Sequence, residues 1–320
     1  MKKTLVALAA VAVTGGAFAQ SVLTGDIAYG FSSVNANNVT TSGFGLDAAD
    51  IYFAASEEIE GLGKLSVALA YGSETGRSTS VYAGDQTMTL VTTSGMKVVV
   101  GSVYGASYLG AGIASGGSRF DDDLSGKNLS ARTTNDNLSV SMPLTDTLSL
   151  SVAHTEAGVA IGGGSALAVG ATTQRYNTAS LTFKAGQLSA DGGYRSYDNQ
   201  IALSTASVNT LSRASVGYDL GVAKIGAGMQ TATYMYGNTS TQSLLGFSVP
   251  LGAAKVGAQY GQNVTSGNAT STSNYTRTGL QLGGQYDFSK RTYLVAHWNS
   301  YDAGNSINTT GYYFALYNTF

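Results

Sequence analysis

The last ten residues, Gly311-Tyr312-Tyr313-Phe314-Ala315-Leu316-Tyr317-Asn318-Thr319-Phe320, decide the fold. Tyr312, Phe314, Leu316 and Phe320 share one parity, interrupted only by Asn318. An apolar residue at every second position marks a strand whose two faces meet different media. The same spacing recurs upstream at Leu65, Val67, Leu69 and Tyr71, at Leu148, Leu150 and Val152, at Ala179, Leu181 and Phe183, and at Ala254, Val256, Ala258 and Tyr260. Helical spacing is not sustained beyond the first twenty residues.

Composition agrees. Of 320 residues, 42 are Gly, 20 are Tyr, none is Cys and 11% are charged, against about 25% in an average soluble domain. Yet no run of about 18 apolar residues exists, which excludes a bundle of membrane-spanning helices. The chain is too apolar for intrinsic disorder, and without Cys it can form neither a disulfide scaffold nor a thiolate metal site.

Residues 1–19 read as a secretory signal: Lys2 and Lys3 precede the apolar stretch Leu5 to Val13, and Ala17-Phe18-Ala19 is an A-x-A cleavage site. Cleavage between Ala19 and Gln20 leaves residues 20–320 as one barrel domain. Removing two of the 17 basic residues leaves 15 against 19 acids, a net charge of −4. Such an exported, mildly acidic protein has no electrostatic footprint for nucleic acid. The competing reading of this segment is a short core helix.

Connectors of two kinds alternate along the chain. Seven short ones occur at 57–63, 94–95, 143–147, 185–186, 219–221, 250–252 and 287–291; eight longer polar ones fall at 34–46, 73–84, 105–130, 156–172, 199–207, 235–240, 262–273 and 302–308. Together they join sixteen strands, the even number that a bacterial outer-membrane barrel requires, with short turns on one rim and long loops on the other. A secreted β-solenoid is the alternative, but it would repeat at a fixed period of about 20 to 30 residues, and only the alternation repeats. The reading is therefore an all-β, antiparallel transmembrane barrel, closed so that no backbone edge faces lipid.

These residues resemble the sixteen-stranded general diffusion porins of Gram-negative outer membranes, in particular the β-proteobacterial branch. The likeness is carried by Gln20-Ser21-Val22, by Ser56-Glu57-Glu58-Ile59 ahead of Gly61-Leu62-Gly63, by Tyr286-Asp287-Phe288-Ser289-Lys290-Arg291-Thr292, and by Phe320. The resemblance implies a water-filled channel for small hydrophilic solutes and ions, a homotrimer, and a terminal Phe320 read by the outer-membrane assembly machinery. It also implies a third long loop, here 105–130, folded into the lumen, with Arg119, Asp121, Asp122 and Asp123 within it. Two positions at which that family usually carries Arg lie in Asp50-Ile51-Tyr52-Phe53-Ala54-Ala55, and a third is Ser102. A strongly basic, anion-preferring pore is therefore not implied.

The parity opposite to the apolar one lists the lumen wall. It yields Lys97, Lys184, Arg195, Arg213, Lys224, Lys255 and Arg277, with Asp26 and Asp50 on early strands and Asp191 beside Arg195. A basic wall facing acidic residues across a narrow aperture sets a transverse field and the ion preference; the bland alternative is that each charge is solvated at a rim or paired. Tyr29, Phe31, Tyr71, Tyr218, Tyr260, Tyr286, Trp298 and Tyr312 have outward parity and read as interfacial girdles. Tyr52, Tyr197, Tyr293, Tyr313 and Tyr317 are inward but scattered, which argues against a stacked aromatic slide for sugars.

No enzyme, cofactor or metal site is expected. The two histidines, His154 and His297, have no evident nucleophile nearby, and the run Asp121 to Asp123 lacks the spacing of a defined Ca²⁺ loop. Gly43-Phe44-Gly45-Leu46-Asp47-Ala48 imitates a dinucleotide fingerprint without a βαβ context. The reading is thus a diffusion porin of the outer membrane; the alternatives are a substrate-selective channel of similar architecture and a non-transporting adhesin or structural barrel. N-terminal sequencing of protein from outer membranes should start at Gln20; a start at Met1 would remove the signal reading.

Overall fold

The computed structural model describes residues 20–72, 82–104, 108–118, 134–156, 175–198, 208–235, 237–266, 274–302 and 308–320. Sixteen strands are present among them: β1 (Gln20–Ala36), β2 (Val39–Ile59), β3 (Gly63–Gly72), β4 (Tyr82–Thr92), β5 (Lys97–Tyr104), β6 (Thr134–Pro143), β7 (Leu148–Glu156), β8 (Arg175–Ala185), β9 (Leu188–Asp198), β10 (Val208–Asp219), β11 (Lys224–Tyr234), β12 (Thr239–Leu251), β13 (Ala254–Thr265), β14 (Tyr275–Asp287), β15 (Thr292–Asp302) and β16 (Asn308–Thr319). Each pairs antiparallel with its chain neighbours, and β16 returns to β1, closing the barrel. Strands of 11 residues such as β8 and β9, at about 3.3 Å per residue and tilted about 45°, cross about 25 Å of apolar band.

Closure rests on a two-way backbone pair. The Phe320 N–H donates to the Gly25 carbonyl at 2.9 Å, and the Gly25 N–H donates to the Phe320 carbonyl at 3.0 Å. The Phe320 ring lies over Gly25, where a Cβ would sit 2.5 Å from it and 2.5 Å from the Asp50 carbonyl oxygen. The terminal aromatic thus seals the seam between the two ends of the sheet.

The outer face follows the expected parity. Leu138, Val152, Leu181, Tyr194, Val216, Leu245, Tyr260, Leu282, Trp298 and Leu316 are all exposed there. Most of the short connectors match their expected positions, and the longer ones at 73–84, 156–172, 199–207, 262–273 and 302–308 lie largely outside the described residues.

The expected loop at 34–46 is corrected. β1 and β2 continue through it and reverse in a two-residue turn at Asn37-Asn38, both with positive φ (52° and 63°), the conformation that a tight hairpin requires and Asn tolerates. The polar, Thr-rich composition looked like a loop because this hairpin rises above the level at which β2 meets β3, which begins with Asp50 opposite Gly72. A bulge near Ala28 places both Asp47 and Ala48 of β2 towards the lumen and switches the strand's parity, so that Phe44 and Ile51 both face outward.

Substituting Gly25→Val should force the Phe320 ring and β2 apart. Overpacking of this kind costs about 1–3 kcal/mol, read as an earlier urea unfolding midpoint and loss of the heat-modifiable gel shift that a closed barrel gives.

Candidate functional site: the lumen

Alternation sends the polar half of every strand into the barrel, and the strand order then sorts the charges. β1 and β9 stand eight strands apart in a ring of sixteen, hence on opposite walls. Arg195 on β9 and Arg213 on β10 face the lumen from one wall; Lys184 on β8, Lys224 on β11, Lys255 on β13 and Arg277 on β14 share the inward parity of their strands. Asp26 on β1, with Asp47 and Asp50 on β2, occupies the other wall.

The two arginines are held by aromatic rings. The Arg195 guanidinium lies 3.9 Å above the centre of the Tyr176 ring, and its Nε and Nη1 donate to Thr178 Oγ1 at 3.2 Å and to the Tyr197 hydroxyl at 3.3 Å. Arg213 runs across Gly193, where no Cβ obstructs it, and its guanidinium stands 4.4 Å from the centre of the Tyr108 ring. Stacking of this kind fixes a guanidinium plane while leaving its charge in the lumen. Ser215 donates to the Asp191 carboxylate beside them. Lys224 differs: it pairs with Asp219 at 3.2 Å across the turn between β10 and β11, so its charge is largely offset at the rim. Lys97 is exposed at the start of β5, opposite Ser141. Arg277 lies 4.7 Å from the centre of the Tyr275 ring.

The opposite wall is an aromatic and acidic cluster. The Tyr52 hydroxyl lies 3.2 Å from both Asp26 Oδ2 and Asp50 Oδ2. Tyr313 and Tyr317 each donate to Asp47 Oδ2 at 2.6 Å. Tyr317 stacks on Tyr293 with ring centres 5.0 Å apart and planes within 2°, and His297 stacks on Tyr313 at 4.9 Å. Of the inward tyrosines expected to be scattered, Tyr293, Tyr313 and Tyr317 instead form one cluster of two stacked pairs, because β15 and β16 pair with Tyr293 opposite Tyr317 and His297 opposite Tyr313, whereas Tyr52 and Tyr197 lie apart from it. Only cross-strand pairing brings the cluster together. Tyr317 is 7% exposed, so the stack braces the seam more than it offers ring faces to a solute.

Between the walls lies the described part of the expected third loop. Residues 108–118, with a 3₁₀ turn at Ile113–Ser115, pack inside the barrel against β10, β11 and β12. The wall there is without side chains at Gly226 and Gly246. A Cβ at Gly226 would approach the Ile113 carbonyl oxygen to 2.1 Å, and one at Gly246 the Ser115 carbonyl oxygen to 2.1 Å. Leu109 and Ala114 bury against Leu244, and the Ser248 hydroxyl donates to the Gly116 carbonyl at 2.7 Å. Burying one such Leu contributes about 1.5–3 kcal/mol towards holding the segment on the wall. Burial also pushes the Tyr108 phenol up to about 12. A sequence signal for this seat existed: Leu244 interrupts the inward series Ser240, Gln242, Gly246, Ser248, and the inward positions of β10 and β11 include Gly217, Gly226 and Gly228. Arg119, Asp121, Asp122 and Asp123 lie outside the described residues.

The histidines stand apart from any constellation of the kind a hydrolase uses. His154 is on the outer face, its Nδ1 2.8 Å from Asn177 Oδ1 and its Nε2 3.3 Å from Glu156 Oε1; His297 is stacked on Tyr313. Among the described residues no group of three or more acidic or histidine side chains could hold a metal ion.

A closed, lipid-facing barrel of sixteen strands with a charged lumen is an outer-membrane channel. The family model for Gram-negative porins matches residues 4–306, and the chain belongs to that family. Its place is the outer membrane, and its fold and family indicate a channel rather than an enzyme. Among solved structures it is similar to the anion-selective porin from Comamonas acidovorans (17% identity, TM-score 0.68, covering 94% of this chain and 100% of that one). It is also similar to the trimer form of OmpT, an outer membrane protein of Vibrio cholerae (13% identity, TM-score 0.68, 95% and 100% covered), and to a variant of the Rh. blastica porin (14% identity, TM-score 0.64, 94% and 100% covered). No curated protein sequence matches it.

Replacing Gly246 by Val should push segment 108–118 off its seat towards the centre of the lumen. Single-channel conductance should fall while the closed barrel persists on gels; unchanged conductance would show that the segment does not border the ion path.

Proposed function

We propose that this porin passes small hydrophilic solutes and ions down their gradients through a water-filled lumen narrowed by loop 105–130. The observation that carries the reading is the opposition of the Arg195 and Arg213 wall to the Asp26, Asp47 and Asp50 wall. Opposed charges across a low-dielectric aperture orient dipolar solutes and penalise apolar ones. Lys97 on β5, Lys255 on β13 and Arg277 on β14 add positive charge on the stretches of wall between the two, and Lys224 adds little because Asp219 pairs it. Arg119 and the run Asp121 to Asp123 belong to the narrowing loop, the acids adding to the field from within. Because acids and bases oppose each other, charge preference is weak. The covered stack of Tyr293, Tyr313 and Tyr317 favours this general reading over a sugar-selective channel.

Residues 1–19 act as the export signal, and Phe320 is read by the assembly machinery before it seals the seam. The copies associate through the β16–β1–β2 face as a homotrimer. Support comes from the aromatic ridge there, where Tyr29 stacks on Phe44 and Phe31 on Phe314, and from the hairpin, where Val39 is 67% and Phe44 70% exposed.

Reversal potentials in planar bilayers under a salt gradient test the field. Arg195 and Arg213 together changed to Gln should move the preference towards cations, and Asp26 and Asp50 together changed to Asn towards anions. Refolded protein without any ion conductance would sink the channel reading itself.

A further inference from the structure

The seat of segment 108–118 has a counterpart on the outer side of the same wall. On the outer face of this wall Ala214 on β10, Ala227 on β11 and Ser243 on β12 are small. Ala214 and Ser243 flank Met229 in one outward row, and Ala227 lies in the next between Val216 and Leu245. The result is a depression of about 470 Å³, margined by Met229, Leu245 and Tyr260, which are 50%, 58% and 48% exposed. Directly behind its floor, Gly226, Gly228 and Gly246 lie against Ile113–Ser115, so at this place the wall carries little side-chain bulk on either face.

The two ends of the groove differ chemically. Towards the short-turn rim the outward row is Tyr218, Ile225 and Phe247, which blocks the groove with apolar bulk. Towards the long-loop rim Ser243 stands opposite Gln262, a hydroxyl and an amide with outward parity. Short turns of outer-membrane barrels face the periplasm and long loops the exterior, so the polar end points to the outer leaflet. Among the described residues no charged side chain lines the groove.

We propose that this groove binds one acyl chain of an outer-leaflet lipid, its methyl end against the Phe247 row and its ester or hydroxyl group at Ser243 and Gln262. An apolar channel closed at one end and polar at the other matches a chain that carries its polar group at one terminus. A second copy of the barrel is a poorer fit: β12 and β11 stand four and five strands from β16, away from the aromatic ridge at the seam. The inference depends on the barrel's place in the outer membrane and not on which solutes it passes.

The test measures lipid carried by the whole barrel purified from outer membranes in mild detergent, by native mass spectrometry and lipid extraction. Ala214→Leu with Ala227→Leu fills the floor, and Val152→Leu alters the outer face elsewhere. Wild type and V152L should retain an acylated glycolipid, and the filled variant should lose it by roughly tenfold or more, the factor that about 1.4 kcal/mol produces. If the filled variant does not close its barrel, Tyr260→Ala should lower retention instead by opening the margin. Equal retention in all barrels, or retention of phosphatidylethanolamine in place of the glycolipid, overturns the proposal. So does a lipid-free wild type whose self-association is lost on filling the groove, since a second copy would then be the occupant.

Discussion

In hydrocarbon no water is available to a backbone N–H or C=O, and each unpaired group there costs several kcal/mol. The structure depends on that constraint more than on any core. A sheet meets it only by having no edge, and a sheet has no edge only when its last strand returns to its first. The pair of hydrogen bonds between Gly25 and Phe320 is where this requirement is met at the end of the chain. The bulge at Ala28, the Tyr stack on Asp47 and the ring of Phe320 over Gly25 all gather at the same seam.

The lumen is organised by a second consequence of closure. In a ring of sixteen strands, residues eight strands apart face each other, however far apart they lie in the chain. Asp26 and Arg195 are separated by more than half the sequence, yet they define opposite walls of one aperture. Aromatic rings beneath Arg195 and Arg213 hold the positive charges in place. The acids opposite are held by phenol hydroxyls. The field across the pore is thus built from side chains that have little freedom to collapse onto one another.

Glycine has a particular role in this wall. At Gly226 and Gly246 there is no room for a methyl group, because the backbone of segment 108–118 occupies the space a side chain would take. A loop that must lie flat against the inner wall needs a stretch of wall without side chains. The small residues on the outer face at the same strands leave the groove that an acyl chain can fill. One patch of sheet therefore carries the loop on its inside and a concavity on its outside.

Alternation, connector lengths and the terminal aromatic made the barrel, its strand number and the inward or outward sense of most residues legible in the sequence, because strand periodicity is local and lipid enforces it at every second position. The inward assignment of Arg195, Arg213, Arg277, Asp26 and Asp50 came from the same rule. Register escaped it. The hairpin at Asn37-Asn38 read as a loop, since its composition is polar and its strands are long only by virtue of pairing. The bulge that brings Asp47 to Tyr313 and Tyr317, the stack of Tyr293 on Tyr317 and the glycine seat under Ile113–Ser115 each depend on which residue stands opposite which. The sequence by itself determined the two faces of every strand; only the tertiary structure decided which residues share a wall, because neighbours across strands are set by register and closure, and these are properties of the whole ring.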